Sequence, residues 1–194
     1  EGGKIHPLFE IETVARLGEG VQKNGILLKE AMDRGLQTLA QYLERCQAME
    51  VQKIFVAGTS ALREAKNSED FLKLAEEKLN LSIEVISGDE EAQLSFLAVA
   101  EDLQEGEKSI LVVDVGGGST EFILGKGNQI LQWISLPLGS VRFTEEFLHS
   151  DPIQKEEWNR MEKKIRGHLV SIPHPSESIS MVAVGGTATT LASV

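Results

Sequence analysis

The run SILVVDV at residues 109–115, followed by Gly116, Gly117 and Gly118 and then by STEFILG, constrains this chain more than any other stretch. An apolar, β-branched run of this length bounded by a turn signal predicts a buried strand. The three glycines let the backbone turn sharply and come close to whatever lies beside it. STEFILG, residues 119–125, predicts a second strand, KGN at 126–128 a tight hairpin, and QILQWISL, 129–136, a third strand. Strand, turn, strand, turn, strand is an antiparallel meander. Beyond it, residues 140–149 and about 152–170 read as helices, the second with Asp151 as N-cap and Pro152 at its first position. SIPHPSES is a loop, and ISMVAV, 179–184, is a strand running into the start of a helix at GGTATTLA.

The first half alternates differently. Residues 8–16 suggest a strand, and Gly18, Gly20 and Gly25 mark a loop. Leu28, Met32, Leu36, Leu39 and Leu43 then recur at helical spacing and predict an amphipathic helix over about 26–48. Strands at 53–57 and 82–86 alternate with a helix from Ser68 and another from Asp89 through Leu103. Such alternation indicates α/β layering. QEGEK, 104–108, is the polar break at which a first domain, 1–105, gives way to a second, 106–194.

The chain has 194 residues, 41% hydrophobic and 25% charged, enough to bury a core without staples. Its net charge of −11 argues against a general nucleic-acid binder, which should present a basic face. It leaves room for an anionic substrate, because backbone N–H groups and a divalent cation can hold phosphate in an acidic protein. Cys46 is the single cysteine, so no intrachain disulfide forms, and a reducing, cytoplasmic setting is expected. No run approaches the length of a membrane span, and no basic-then-apolar start suggests a signal peptide. His6, His149, His168 and His174 have no ligand spacing, and Trp133 and Trp158 read as packing residues.

Five segments carry chemistry. In VVDVGGGSTEF a buried strand ends at Asp114, the glycines with Ser119 and Thr120 offer an anion nest, and Glu121 adds a second carboxylate. Paired carboxylates beside a nest suit Mg²⁺, though a Gly-rich β-turn between two strands fits the same letters. In VAVGGTATTLA, Gly185, Gly186 and Thr187 stand at a strand-to-helix turn, where N–H groups favour anions. In ISGDEEAQ, Asp89, Glu90 and Glu91 complement a helix dipole, or one glutamate faces a cleft and orients water. Glu90 and Glu91 lie about 100° apart on a helix, so only one of them faces a given point. In AGTSALREAKN, Arg63 is placed to fork onto phosphate oxygens, with Thr59 and Ser60 as cap candidates. SLPLGSVRF reads as a strand end followed by a helix capped by Ser140, with Arg142 as a lone basic residue.

In this order, DVGGGSTE, SLPLGS and VGGTATTLA resemble the exopolyphosphatase / guanosine pentaphosphate phosphohydrolase family of the actin, heat-shock chaperone and sugar-kinase superfamily. The resemblance runs over most of the chain and is clearest from residue 51 to 194. It implies two ribonuclease-H-like domains with mixed sheets flanking a cleft, and hydrolysis of a terminal phosphoanhydride of polyphosphate or of guanosine pentaphosphate. By position before Ala92 it assigns the water-activating base to Glu91, with Glu90 second. Asp114 and Glu121 resemble the family's metal- and water-holding carboxylates, Gly116 to Ser119 one phosphate loop and Gly185 to Thr187 another. Arg63 matches an arginine facing the phosphates. Mg²⁺ and a homodimer are implied as well. The opening DxGSxS loop of the family does not occur in this sequence, which is therefore expected to start in the following strands and to stop before the second domain is finished. A local basic groove is expected, with Arg63, Lys66 and Arg142 as contributors and the rest on segments absent from this sequence. A kinase-like phosphotransferase and a non-hydrolytic polyphosphate or alarmone sensor are the competing readings.

Overall fold

The computed structural model describes residues 6–103, 109–172 and 179–194. The break at 104–108 and most of the SIPHPSES loop, with His174, lie outside the described residues. The meander is as expected: β3 (Ser109–Val115), β4 (Thr120–Lys126) and β5 (Gln129–Leu136) pair antiparallel. A fourth strand, β6 (Ser180–Val184), lies parallel to β3, giving the sheet order β5-β4-β3-β6. A meander with the next strand added in parallel to its first member is the ribonuclease-H-like arrangement.

Strand periodicity divides this sheet into two faces. Ile110 and Val112 of β3, with Ile123 of β4, pack under Ala92, Phe96 and Val99 of helix α5 (Gly88–Leu103). The opposite face carries Leu111, Phe122 and Leu136, covered by Phe143 of α6 (Ser140–Phe147) and by Met161, Ile165 and Leu169 of α7 (Lys155–Leu169). A short helix, α8 (Gly186–Ala192), follows β6. The core of α5 thus belongs to the second sheet. The apolar stripe of α5 has its partner in β3–β5, across the polar break from it in sequence.

The first half is built around α2 (Lys29–Ala48) and α4 (Ser68–Leu79), with two short helices, α1 (Val21–Asn24) and α3 (Ser60–Glu64). Leu27, Leu36, Leu62, Phe71 and Ala75 form its core. Gly35 sits in the middle of α2 because a Cβ there would press to 3.1 Å from the Phe71 ring. Asn67 pins the segment before α2: its Oδ1 accepts from Leu27 N–H at 2.7 Å and its Nδ2 donates to Leu27 O at 3.1 Å.

Three expected strands contract. Residues 53–57 and 82–86 keep only β1 (Ala57–Gly58) and β2 (Glu84–Val85), a parallel pair, and residues 8–16 make no strand pairing among the described residues. A strand is defined by a neighbour that takes its N–H and C=O groups, and apolar alternation alone does not supply one. The start of α7 also differs. Asp151 and Pro152 precede the helix, and Gln154 is the N-cap, in a capping box with Glu157. The Glu157 carboxylate accepts from the Ser150 hydroxyl and from the N–H groups of Gln154 and His149, which holds its pKa down at about 2. Trp133 packs under α5, whereas Trp158 is half exposed and packs against none of the three cores.

Phe96 is fully buried between α5 and the sheet, against Gly125, which lies opposite the bulge in β5. Phe96→Ala is expected to lower unfolding stability by about 3–5 kcal/mol, measured by denaturant titration.

Candidate active site

Parallel neighbours send their chain out of the sheet at the same edge. β3 and β6 are such neighbours, with Asp114 opposite Val184, so the GGG turn after β3 and the GG turn after β6 emerge side by side. β1 and β2 likewise end together, at Gly58 and Val85, just before α3 and α5. Between these strand ends lies a cavity of about 630 Å³, the position at which open α/β sheets bind ligands. Gly116 to Ser119, Gly186, Thr187 and Glu91 all line it.

The glycine turn is held from behind. Ser140 N–H donates to Gly116 O, and the N–H groups of Val141 and Arg142 donate to Gly117 O, all at 3.0 Å. Arg142 Nε donates to Gly118 O at 2.6 Å. The carbonyls are thereby drawn toward α6. Among the described residues the N–H groups of Gly117, Gly118 and Ser119 donate to no protein acceptor. Gly139 is the N-cap of α6, in place of the expected Ser140, because a Cβ at 139 would collide with the backbone of Gly117 and Gly118. In the second turn, Gly185 has φ of 87°, in the left-handed region, and a Cβ there would come to 3.0 Å from Asp114 Oδ1.

The carboxylates form a row. Ladder register sets Asp114 opposite Glu121, and Glu121 opposite Ser135, on the face covered by α5. Ser135 donates to Glu121 Oε1 and Ser95 of α5 donates to Asp114 Oδ2, both at 2.7 Å. Glu121 is 1% exposed, and burial pushes its pKa up; hydroxyl groups of Ser135 and Ser119 oppose that rise, while Glu91 and Asp114 reinforce it. Glu91 lies one helical turn before Ser95 on α5. Its neighbour Glu90 turns back: Glu90 Oε2 accepts from Ser87 N–H and Oγ at 2.8 Å, and these bonds lower its pKa. Glu91, not Glu90, faces the cavity.

Both expected arginines are already paired: Arg142 lines the cavity, whereas Arg63 does not and meets it only through Glu91. Arg63 Nη1 donates to Glu91 Oε2 at 2.8 Å and to Ile86 O at 2.9 Å. Arg142 Nη2 binds both oxygens of Glu64, at 2.7 and 2.8 Å. Lys66 is exposed and does not line the cavity. Arg63, Lys66 and Arg142 do not by themselves make the cavity basic: among the described residues Glu12, Glu64, Glu91 and Glu145 line the wall against Arg16 and Arg142. Thr120 is also not a cavity residue, because strand alternation turns it to the α6 face, where its hydroxyl donates to Leu138 O. Among the described residues no group of three or more His, Cys, Asp or Glu converges as a metal site.

A sequence model of the Ppx/GppA phosphatase family matches residues 1–194. The chain belongs to this family. An Aquifex aeolicus family member of known structure is 35% identical, with a TM-score of 0.74 over 100% of this chain and 62% of its own. An exopolyphosphatase from Cytophaga hutchinsonii is 30% identical, with a TM-score of 0.86 over 97% of this chain and 61% of its own. The chain spans about three fifths of the length of these relatives.

Glu64, Ser95, Ser135 and Glu145 carry no signal singled out in the sequence, and Ser60 only that of a cap candidate, yet each touches the glycine turn, the carboxylates or the cavity wall. Ser95 follows Glu91 at i,i+4 and was findable on that spacing. The others meet the site only through tertiary contact. Because the raised pKa of Glu121 makes its ionised form oppose folding, Glu121→Gln should be more stable than wild type near pH 7. The gain should shrink as pH falls through the raised pKa toward the ordinary value of 4.5, where wild type is protonated too. Thermal unfolding of both proteins across pH 4–8 checks this.

Proposed function

We propose that the protein carrying this chain hydrolyses terminal phosphoanhydride bonds, with inorganic polyphosphate as substrate and the 5′-phosphate of guanosine pentaphosphate as the second candidate. The observation that carries the reading is that two glycine turns and Glu91 line one cavity. Family membership and the exopolyphosphatase name of the Cytophaga relative support it. The end phosphoryl group would rest on the amides of Gly117, Gly118 and Ser119, with Gly185 to Thr187 on the other side. Phosphoryl transfer asks mainly for position and for charge stabilisation, and preset amides supply both without reorganisation. Glu91 would take the proton of the attacking water. Arg63 holds its carboxylate in place from one side, through an anchor on Ile86 O.

Asp114 and Glu121, neither of which is among the cavity-lining residues, would hold Mg²⁺ as hard oxygen donors paired across a ladder, each oriented by a serine hydroxyl. Mg²⁺ takes one or two carboxylates and completes its shell with water and phosphate oxygens, so a larger cluster is not needed. When bound it would supply neutralisation of phosphate charge. Its presence would also relieve the mutual repulsion that helps raise the Glu121 pKa. A homodimer and a cytoplasmic setting belong to the same proposal; no helix among the described residues is long and apolar enough to cross a membrane.

Glu91→Gln in the full-length protein is expected to cut phosphate release from polyphosphate by about 10²–10⁴-fold with KM little changed. Turnover within threefold of wild type would remove Glu91 from the role of base. Comparing long-chain polyphosphate, guanosine pentaphosphate and ATP in that assay tests the substrate.

A further inference from the structure

Glu64 is the most heavily solvated-by-protein carboxylate on the cavity wall, and its partners are those an anion subsite would use. Its Oε1 accepts from Ser60 Oγ at 2.9 Å and from Arg142 Nη2 at 2.7 Å; its Oε2 accepts from Arg142 Nη2 at 2.8 Å and from Gln22 Nε2 at 2.9 Å. The donors come from three separate elements, α1, α3 and α6, so the cluster is assembled by tertiary folding and is not a local turn. It adjoins the phosphate loop directly: Ser60 Oγ fills the space a Cβ on Gly118 would need, and Arg142 Nε binds Gly118 O.

The two charged partners differ in freedom. The Arg142 side chain is 12% exposed and tied to the loop backbone, whereas that of Glu64 is 37% exposed and sits at the last residue of α3. The guanidinium is the more buried, backbone-anchored partner and the carboxylate the more exposed one. A carboxylate and a phosphoryl group present similar paired oxygens to a guanidinium fork.

We propose that Glu64 is a resident anion on a phosphate subsite beside Gly118, and that a phosphoryl unit of the bound chain, next to the one undergoing reaction, displaces it onto Arg142, Ser60 and Gln22. The proposal rests on the phosphoanhydride reading above. It accounts for a cavity that is acidic when its ligand is a polyanion: the acid is a placeholder that keeps Arg142 in position and raises the threshold for weaker anions.

The probe is inorganic tripolyphosphate, titrated calorimetrically into the full-length protein. Glu64→Gln should bind it about tenfold more tightly than wild type, since a competing negative charge is gone while the side chain keeps its shape. Glu77→Gln removes the same charge from an exposed position on α4 and should leave affinity within twofold. In an Arg142→Gln background the gain from Glu64→Gln should disappear, as coupled partners require. Equal affinity of Glu64→Gln and Glu77→Gln would overturn the placeholder role alone. Weaker binding by Glu64→Gln would also overturn it, showing that Glu64 only braces the loop. Failure of wild type and Glu64→Gln alike to bind tripolyphosphate would overturn both this inference and the phosphoanhydride reading.

Discussion

The hydrogen bonds from the first turn of α6 to the carbonyls of Gly116 and Gly117 are the contact on which the site depends. A three-glycine turn has wide conformational freedom, and left to itself it would spend its amides and carbonyls on water. Here the α6 N-terminus, whose own amides lack intrahelical acceptors, consumes the carbonyls. The peptide planes are thereby oriented, and the amides that remain, on the opposite side of those planes from the bonded carbonyls, are left without a protein acceptor among the described residues. Gly139 is needed for this, because only a residue without Cβ lets α6 come so close to the turn. Arg142 extends the grip by one carbonyl. The segment SLPLGSVR thus buttresses the glycine turn, and Arg142 bridges that buttress to the wall of the cavity.

The sheet supplies the second requirement, that everything arrive at one edge. Parallel pairing of β3 with β6 brings the two glycine turns together. Antiparallel pairing of β3, β4 and β5 lines up Asp114, Glu121 and Ser135 beneath α5. That row depends on a bulge. The two-residue hairpin at Gly127 and Asn128 pairs Lys126 with Gln129, a register that would set Ile134 opposite Glu121. The shift between Leu124 and Gly125 leaves out Leu131 and brings Ser135 there instead. A one-residue shift exchanges the faces of a strand. Without it the buried Glu121 would lose the Ser135 hydroxyl, and Ile134 would leave the apolar layer it shares with Phe122.

Much of this was legible in the letters. The meander boundaries follow from apolar runs punctuated by glycine, and the family resemblance follows from three motifs in fixed order. Both glycine turns and Glu91 reach the cavity as their positions implied. What escaped has a common cause: it is fixed by partners distant in sequence. Apolar alternation at 8–16 could not reveal whether a neighbouring strand would pair with it. The polar break at 104–108 could not show that α5 buries its stripe on the second sheet. Thr120 looks like a loop hydroxyl beside Ser119, yet one residue further along the strand period turns it to the opposite face. The pairing of Arg142 with Glu64 joins residues 78 positions apart, and no local rule anticipates it.

These features describe a cavity whose wall, among the described residues, has unpaired main-chain amides and no surplus of basic side chains, so that in the proposed reading the amides provide the attraction for an anion. Backbone assignment of the full-length protein by NMR, with the amides of Gly116–Ser119 and Gly185–Thr187 followed during titration with tripolyphosphate and Mg²⁺, tests that claim most directly. The account predicts that both groups of amides shift together, along one binding curve, while amides at the far ends of β3 and β4 stay still. Shifts confined to arginine and lysine side chains, or to one turn without the other, would contradict it.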